Sequence, residues 1–266
     1  MHLKVVACDV LARELYWCAA RARHAINVTL LPQGLHDNSD ICRDLLQQQV
    51  DAATADRYDA IVLGYGLCNN SLVGLRAGPV PVIVPRAHDC ITLLLGSKER
   101  YSRAFAEQPG TYWFSSGWLE CYQKSGEPIE PRTNSGLGPM YKRAEYQELV
   151  AKYGEDNAKY LAEFMSAWET HYTRGVLIEF DFARHLGLQE QVRETCREKG
   201  WEFATVPGDL ALIQAGLDGE WDDARFLRLD AGCAVRASFD DTILGTEPAA
   251  CPSGQCPRGP EVTPCR

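Results

Sequence analysis

Apolar residues in the first hundred positions follow two rhythms. Unbroken runs, LKVVA at 3–7, INVTLLP at 26–32, AIVLG at 60–64 and VPVIVP at 80–85, have the length and β-branched content of strands covered on both faces. Between them the spacing is helical. Leu11, Leu15 and Cys18 fall on one face of a first helix. Asn38 and Ser39 cap a second, NSDICRDLLQQQVDAAT. NNSLVGLRAG at 69–78 reads as a short helix ended by Gly78, and DCITLLLGSKERYSRAFAEQ at 89–108 as a longer one. Strand and helix in alternation predict a parallel sheet covered by helices.

The middle changes character. GTYWFSSGWLECY at 110–122 is aromatic and holds a candidate strand. QKSGEPIEPRTNSGLGPMYKR at 123–143 reads as a long loop, and 144–172 as helix broken near Gly154. Alternation then resumes: GVLIEFDF at 175–182, a helix over 183–200, WEFATVP at 201–207, a helix over 208–219, and RFLRLDAG at 225–232. The expected architecture is α/β, with two Rossmann-like parallel-sheet units and an aromatic and helical insert. The expected boundaries are 1–110 for the first unit, 111–172 for the insert and 173–245 for the second unit. Residues 246–266 form a Cys-, Pro- and Gly-rich tail expected to be disordered.

Composition narrows the function classes. The formal net charge of -9, from 27 basic and 36 acidic residues, argues against nucleic acid and anionic membranes as partners. No apolar run reaches the length of a membrane span, and the first residues lack the layout of a signal peptide, so a cytoplasmic protein is expected. Eleven cysteines are many. In a reducing compartment they are expected to be buried small hydrophobes, metal ligands or nucleophiles rather than disulfides.

Their positions carry the chemistry. Cys8, Cys68 and Cys233 follow predicted strands, and Cys90 lies just past another. If all four strands run parallel, their carboxyl ends share one edge, where open α/β sheets bind ligands. Arg86, His88 and Asp89 surround Cys90 in PRAHDC, and Asn69 and Asn70 follow Cys68. Cys18, Cys42 and Cys196 fall on helix faces and read as packing. Three or four converging thiols suit an iron–sulfur cluster of the [4Fe–4S] type, with zinc second. A metal-free nucleophile with His88 as base is a third option. His88 and Asp89 are then acid/base candidates and Arg86 an anion anchor. Asn69, Asn70, Tyr65 and the aromatic Trp113 are candidates for contacting a small-molecule substrate.

Familiar motifs are missing. GYGLCN has Asn69 where a dinucleotide fingerprint has its third glycine, and LLGSKER is no P-loop. ACDVLARELYW, LPQGLHDN, YDAIVLGYGLCNN, PRAHDCITLLLGSKERY, GTYWFSSGW and YGEDNAKYL together resemble the domain of unknown function 1638 (DUF1638) family, from about Leu3 to Phe239. The resemblance implies a prokaryotic cytosolic protein, often encoded beside corrinoid-dependent methyltransferases and one-carbon enzymes. Corrinoid methyltransferase components are thus implied as partners. The layout of one cysteine per α/β unit is similar to that of quinolinate synthase at the level of fold. The expected function is a metal-dependent lyase or transferase acting on a small molecule. The alternative is a zinc-thiolate methyl-transfer protein, or an accessory metallochaperone.

Overall fold

The computed structural model describes residues 1–125, 150–151, 154–155 and 171–248, with side chains described to residue 121 in the first stretch. The readings of a long loop at 123–143 and of helix at 144–172 fall almost wholly outside these residues, as does the tail beyond Pro248. The chain divides into two units: Met1–Tyr101 with the segment from Asp209 onward, and Ser102–Gly208.

The first unit is built on the predicted strands. β1 (His2–Cys8), β2 (Ala25–Leu31), β3 (Ala60–Gly64) and β4 (Val82–Pro85) are parallel, in the order β2-β1-β3-β4. Leu3, Ile61, Leu63 and Ile83 are fully buried. Burial on both faces explains why these strands read as unbroken apolar runs, and each such side chain contributes about 1.5–3 kcal/mol. α1 (Ala12–Ala19) and α2 (Ser39–Asp51) make the crossovers. The α2 amino end is capped as the sequence indicates: the Asn38 side chain accepts from Ile41 N at 3.1 Å.

Two predicted helices differ. Residues 69–78 are not helical, because Cys68, Asn69 and Asn70 take φ of 43°, 56° and 62°. The following residues bond across the chain instead: Gly74 N to Val235 O at 2.8 Å and Ala77 N to Cys233 O at 3.1 Å. The run at 89–108 splits into α3 (Cys90–Leu95) and α4 (Lys98–Glu107) at Gly96, whose φ of 79° ends the first helix.

The return of the chain corrects the expected boundaries. After α7 (Ala211–Asp218) comes β8 (Phe226–Leu229), which joins the first sheet beside β4 and runs antiparallel to it, Val82 facing Leu229. A hairpin follows, β9 (Cys233–Ala237) with β10 (Leu244–Pro248). Thr246, Glu247 and Pro248, placed by their composition in a disordered tail, are therefore strand residues facing Val235, Ala234 and Cys233.

The second unit has a parallel sheet of β5 (Thr111–Phe114), β6 (Arg174–Glu179) and β7 (Glu202–Pro207), in that order. α5 (Ser116–Ser125) follows β5, and α6 (Leu188–Lys199) joins β6 to β7. Tyr112, Phe114, Leu119, Leu177, Val192, Cys196 and Trp201 form its core. The aromatic stretch at 111–114 is thus the edge strand of this sheet rather than part of an insert.

Candidate functional site

Strand order singles out one place in the first unit. β1 connects to β2 on one side, and the chain then crosses to β3 on the other, so the order reverses between β1 and β3. The crevice outside the carboxyl ends at such a reversal is the usual ligand position of open α/β sheets. Cys8 ends β1, and Tyr65 to Cys68 follow β3.

Local sequence shapes this edge. Gly64 lies against β1, where a Cβ would come within 2.4 Å of Ala7 Cβ. Gly66 lets two loops touch: its Cβ would meet Asp89 N at 2.6 Å and Ala87 O at 2.8 Å. Across that contact Leu67 N donates to Ala87 O and Cys68 N to His88 O, both at 2.8 Å. The loop after β3 is thereby stitched to the loop after β4. Three consecutive left-handed residues without glycine then turn the chain, and Ser71 closes the turn by donating through its hydroxyl to Cys68 O at 2.6 Å. Left-handed conformation costs about 1–2 kcal/mol per ordinary residue, less for asparagine. Such strain persists only where surrounding structure holds it.

Cys8, Cys68 and Cys90 are thiols rather than disulfides, and they belong to these adjoining segments. The Cys68 residue is half-buried, and burial pushes its thiol well above the ordinary range. Neighbouring Cys90, Asp89 and Cys8 push in the same direction. The Cys8 and Cys90 sulfurs are therefore within electrostatic reach of Cys68. The Cys8 sulfur also lies 4.0 Å from Asp9 Oδ1.

Cys233 does not join them. Because β8 is antiparallel, its carboxyl end lies beside Val82 at the amino end of β4, the opposite edge from Cys68. Cys233 is also disulfide-bonded, which departs from the expectation of reduced thiols. The expected fourth metal ligand is therefore withdrawn.

The polar candidates divide in use. Asp89 caps α3, accepting from Ile91 N at 3.0 Å and Thr92 N at 3.3 Å, and Tyr101 donates its hydroxyl to Asp89 Oδ2 at 3.1 Å. Burial raises its pKa despite these bonds. His88 is exposed, and its carbonyl serves the Cys68 amide. Arg86 is occupied by backbone. Its Nε donates to Asp223 O at 2.7 Å, and Nη1 donates to Thr242 O at 2.9 Å and to Leu244 O. Burial lowers its pKa, and those carbonyls make it a clamp on the β9–β10 turn rather than an anion anchor. Asn69 donates to His36 O at 3.4 Å, and Asn70 is exposed beside it. Trp113 belongs to β5 in the second unit.

Tyr65 has the most informative environment. It is 3% exposed, and its hydroxyl has no hydrogen-bond partner among the described residues. Burial raises its pKa first, followed by Cys8, Cys42, Cys68 and Asp9, which places the hydroxyl among the thiols. Gln33, just past β2, and Thr92 in α3 also carry buried side-chain donors without partners among the described residues. Sequence reading missed both, since an isolated Gln or Thr in an apolar stretch gives no pattern. Native proteins pair nearly all buried polar groups, so the Tyr65 hydroxyl, beside the thiols and without a partner among the described residues, stands out at this edge.

As a metal site, the donor set fits in kind: three thiols, at the end of β1, in the loop after β3 and at the start of α3. The positions are looser, because among the described residues no group of three His, Cys, Asp or Glu is gathered tightly enough to hold an ion. Among those residues no helix is long and apolar enough to cross a membrane.

No curated protein and no solved structure matches the chain. A family model described as a protein of unknown function, DUF1638, matches residues 30–217, a span that includes β3, β4, Cys68 and Cys90, and the chain belongs to that family.

Proposed function

We propose that the protein is a small-molecule enzyme whose site is the edge between β1 and β3, and that Cys8, Cys68 and Cys90 hold a metal centre there. An iron–sulfur cluster is the first assignment and zinc the second. The observation that carries this reading is the strained turn at Cys68–Asn70, stitched to the loop of His88, which sets a thiol among two others.

Electrostatics favours a metal over a bare nucleophile. A cysteine nucleophile acts as thiolate and needs positive surroundings. Cys68 instead has burial, two thiols and a carboxyl group, all of which oppose ionisation. A bound cation reverses that balance and deprotonates its thiols outright. When bound, a cluster with three protein ligands supplies an open iron as Lewis acid.

The remaining groups are the chain's own. Tyr65 offers a buried hydroxyl donor beside the thiols, Asn69 and Asn70 offer amides at the rim, and Asp89 offers a carboxyl group of raised pKa. The one-carbon, corrinoid-linked setting implied by the family resemblance is carried forward as the reaction context.

The test is anaerobic purification followed by iron, zinc and acid-labile sulfide analysis of wild type, Cys68→Ser and Cys233→Ser. Metal near one centre per chain in wild type and Cys233→Ser, lost in Cys68→Ser, supports the reading. Sulfide separates cluster from zinc. Absence of metal from all three proteins contradicts it.

A further inference from the structure

The second unit carries a cavity that the thiol site does not use. It measures about 300 Å³ and lies outside the carboxyl end of β6. That is the lower end of the range for small-ligand pockets. Leu177, Phe180 and Leu188 give it an apolar wall, and its charges are Glu179, Glu190, Arg184 and Arg193. Phe180 packs so closely on the chain after β7 that a Cβ at Gly208 would lie 2.2 Å from its ring, so this wall is fixed.

Topology gives these charges a meaning. β5, α5, β6, α6 and β7 form three parallel strands in sequential order. This is the order of one mononucleotide-binding half of a dinucleotide fold, in which an acidic residue past the second strand takes the ribose hydroxyls. Glu179 is the last residue of the second strand here and lines the cavity. Gln189 Nε2 donates to both its oxygens, at 2.8 and 2.9 Å, and so fixes the carboxylate plane. A carboxylate has about four acceptor positions, so two remain for a pair of adjacent hydroxyls.

The cations suit the rest of such a ligand. Arg184 pairs with Asp181 at 3.0 Å and Arg193 with Glu190 at 3.6 Å, both as exposed ion pairs. Exposed pairs contribute little and exchange readily for a phosphate. The guanidinium of Arg193 also lies over the Phe203 ring at 4.5 Å, which holds it in place. Only Ser115 separates β5 from α5, which leaves no room for a glycine-rich phosphate loop, so the phosphate falls to the arginines.

We propose that this cavity binds a ribonucleotide, with Glu179 on the ribose hydroxyls, Arg184 and Arg193 on the phosphate, and the base against the apolar wall. The proposal is independent of the thiol site.

The test is equilibrium dialysis of the full chain with AMP, 2′,3′-dideoxy-AMP and adenosine, for wild type, Glu179→Gln and Cys68→Ser. The expected result is saturable AMP binding to wild type and Cys68→Ser. Affinity should fall about tenfold or more when the hydroxyls or the carboxylate charge are removed. Adenosine should bind more weakly than AMP. If Glu179→Gln fails to fold, as judged by circular dichroism, the dideoxy analogue carries the same test on wild type. No saturation by AMP at millimolar concentration overturns the proposal, as does AMP binding that is indifferent to the hydroxyls.

Discussion

The Cys68 amide donates to the His88 carbonyl at 2.8 Å, and this bond joins the loop after β3 to the loop after β4. It forms only because Gly66 has no side chain, since a Cβ there would stand 2.6 Å from Asp89 N. That neighbour is backbone and cannot swing aside. Gly66→Ala is therefore expected to destabilise the protein by about 1–3 kcal/mol and to lose bound metal. Urea unfolding with metal analysis checks both. A variant as stable and as metal-loaded as wild type removes the stitched-loop account.

Tyr65→Phe should behave in the opposite sense. The hydroxyl is buried and has no partner among the described residues. Removing an unsatisfied buried group should leave the metal-free protein equally stable or more stable by about 1 kcal/mol. Its affinity for the bound group should fall. A loss of stability above about 1 kcal/mol in the metal-free variant would reveal a partner for the hydroxyl.

Asp89 gives a pH dependence of definite sign. Its folded pKa is raised above 3.8 by burial, so the folded state holds the proton more tightly than the unfolded chain. Its contribution to stability is full below the unfolded value and is lost as pH rises through the folded pKa. An asparagine side chain caps a helix equally well and does not titrate. Asp89→Asn should therefore gain stability relative to wild type as pH rises from about 4 to 7, measured by urea unfolding at each pH. A gap that stays constant with pH contradicts the assignment.

Arg86 is expected to matter for the hairpin rather than for an anion. Its guanidinium donates to the carbonyls of Asp223, Thr242 and Leu244. Arg86→Ala should cost about 2 kcal/mol and speed amide exchange of the Ile243 and Leu244 amides at the β9–β10 turn. Hydrogen exchange read by mass spectrometry locates the change. An unchanged hairpin would restore Arg86 as a candidate anion anchor.

Much of the first sheet was readable because both its faces are covered. Val5, Ile61 and Ile83 are buried, and short unbroken runs of such β-branched residues fit a two-sided strand better than a helix. Strand direction was not readable. Phe226–Leu229 has the same local pattern whether it runs with β4 or against it, and the antiparallel choice moved Cys233 to the far edge. The site was half-readable. Glycines and a thiol after β3 announced a ligand edge, but asparagines open helices as readily as they enter left-handed turns. The sequence pattern at 69–78 therefore suggested a helix. The pairing that prevents it, with Cys233 and Val235, is distant in the chain and leaves no local trace.

Differential alkylation reads whether Cys8, Cys68 and Cys90 converge on one bound centre. Protein purified anaerobically is labelled with iodoacetamide before and after chelation, and each cysteine is read by mass spectrometry. With a shared centre, Cys8, Cys68 and Cys90 are protected together and released together by the chelator. Cys18, whose thiol is pushed up to about 12 by burial, should stay unreactive throughout. Labelling of the three thiols that ignores the chelator, or that changes for one of them alone, would contradict a shared metal centre.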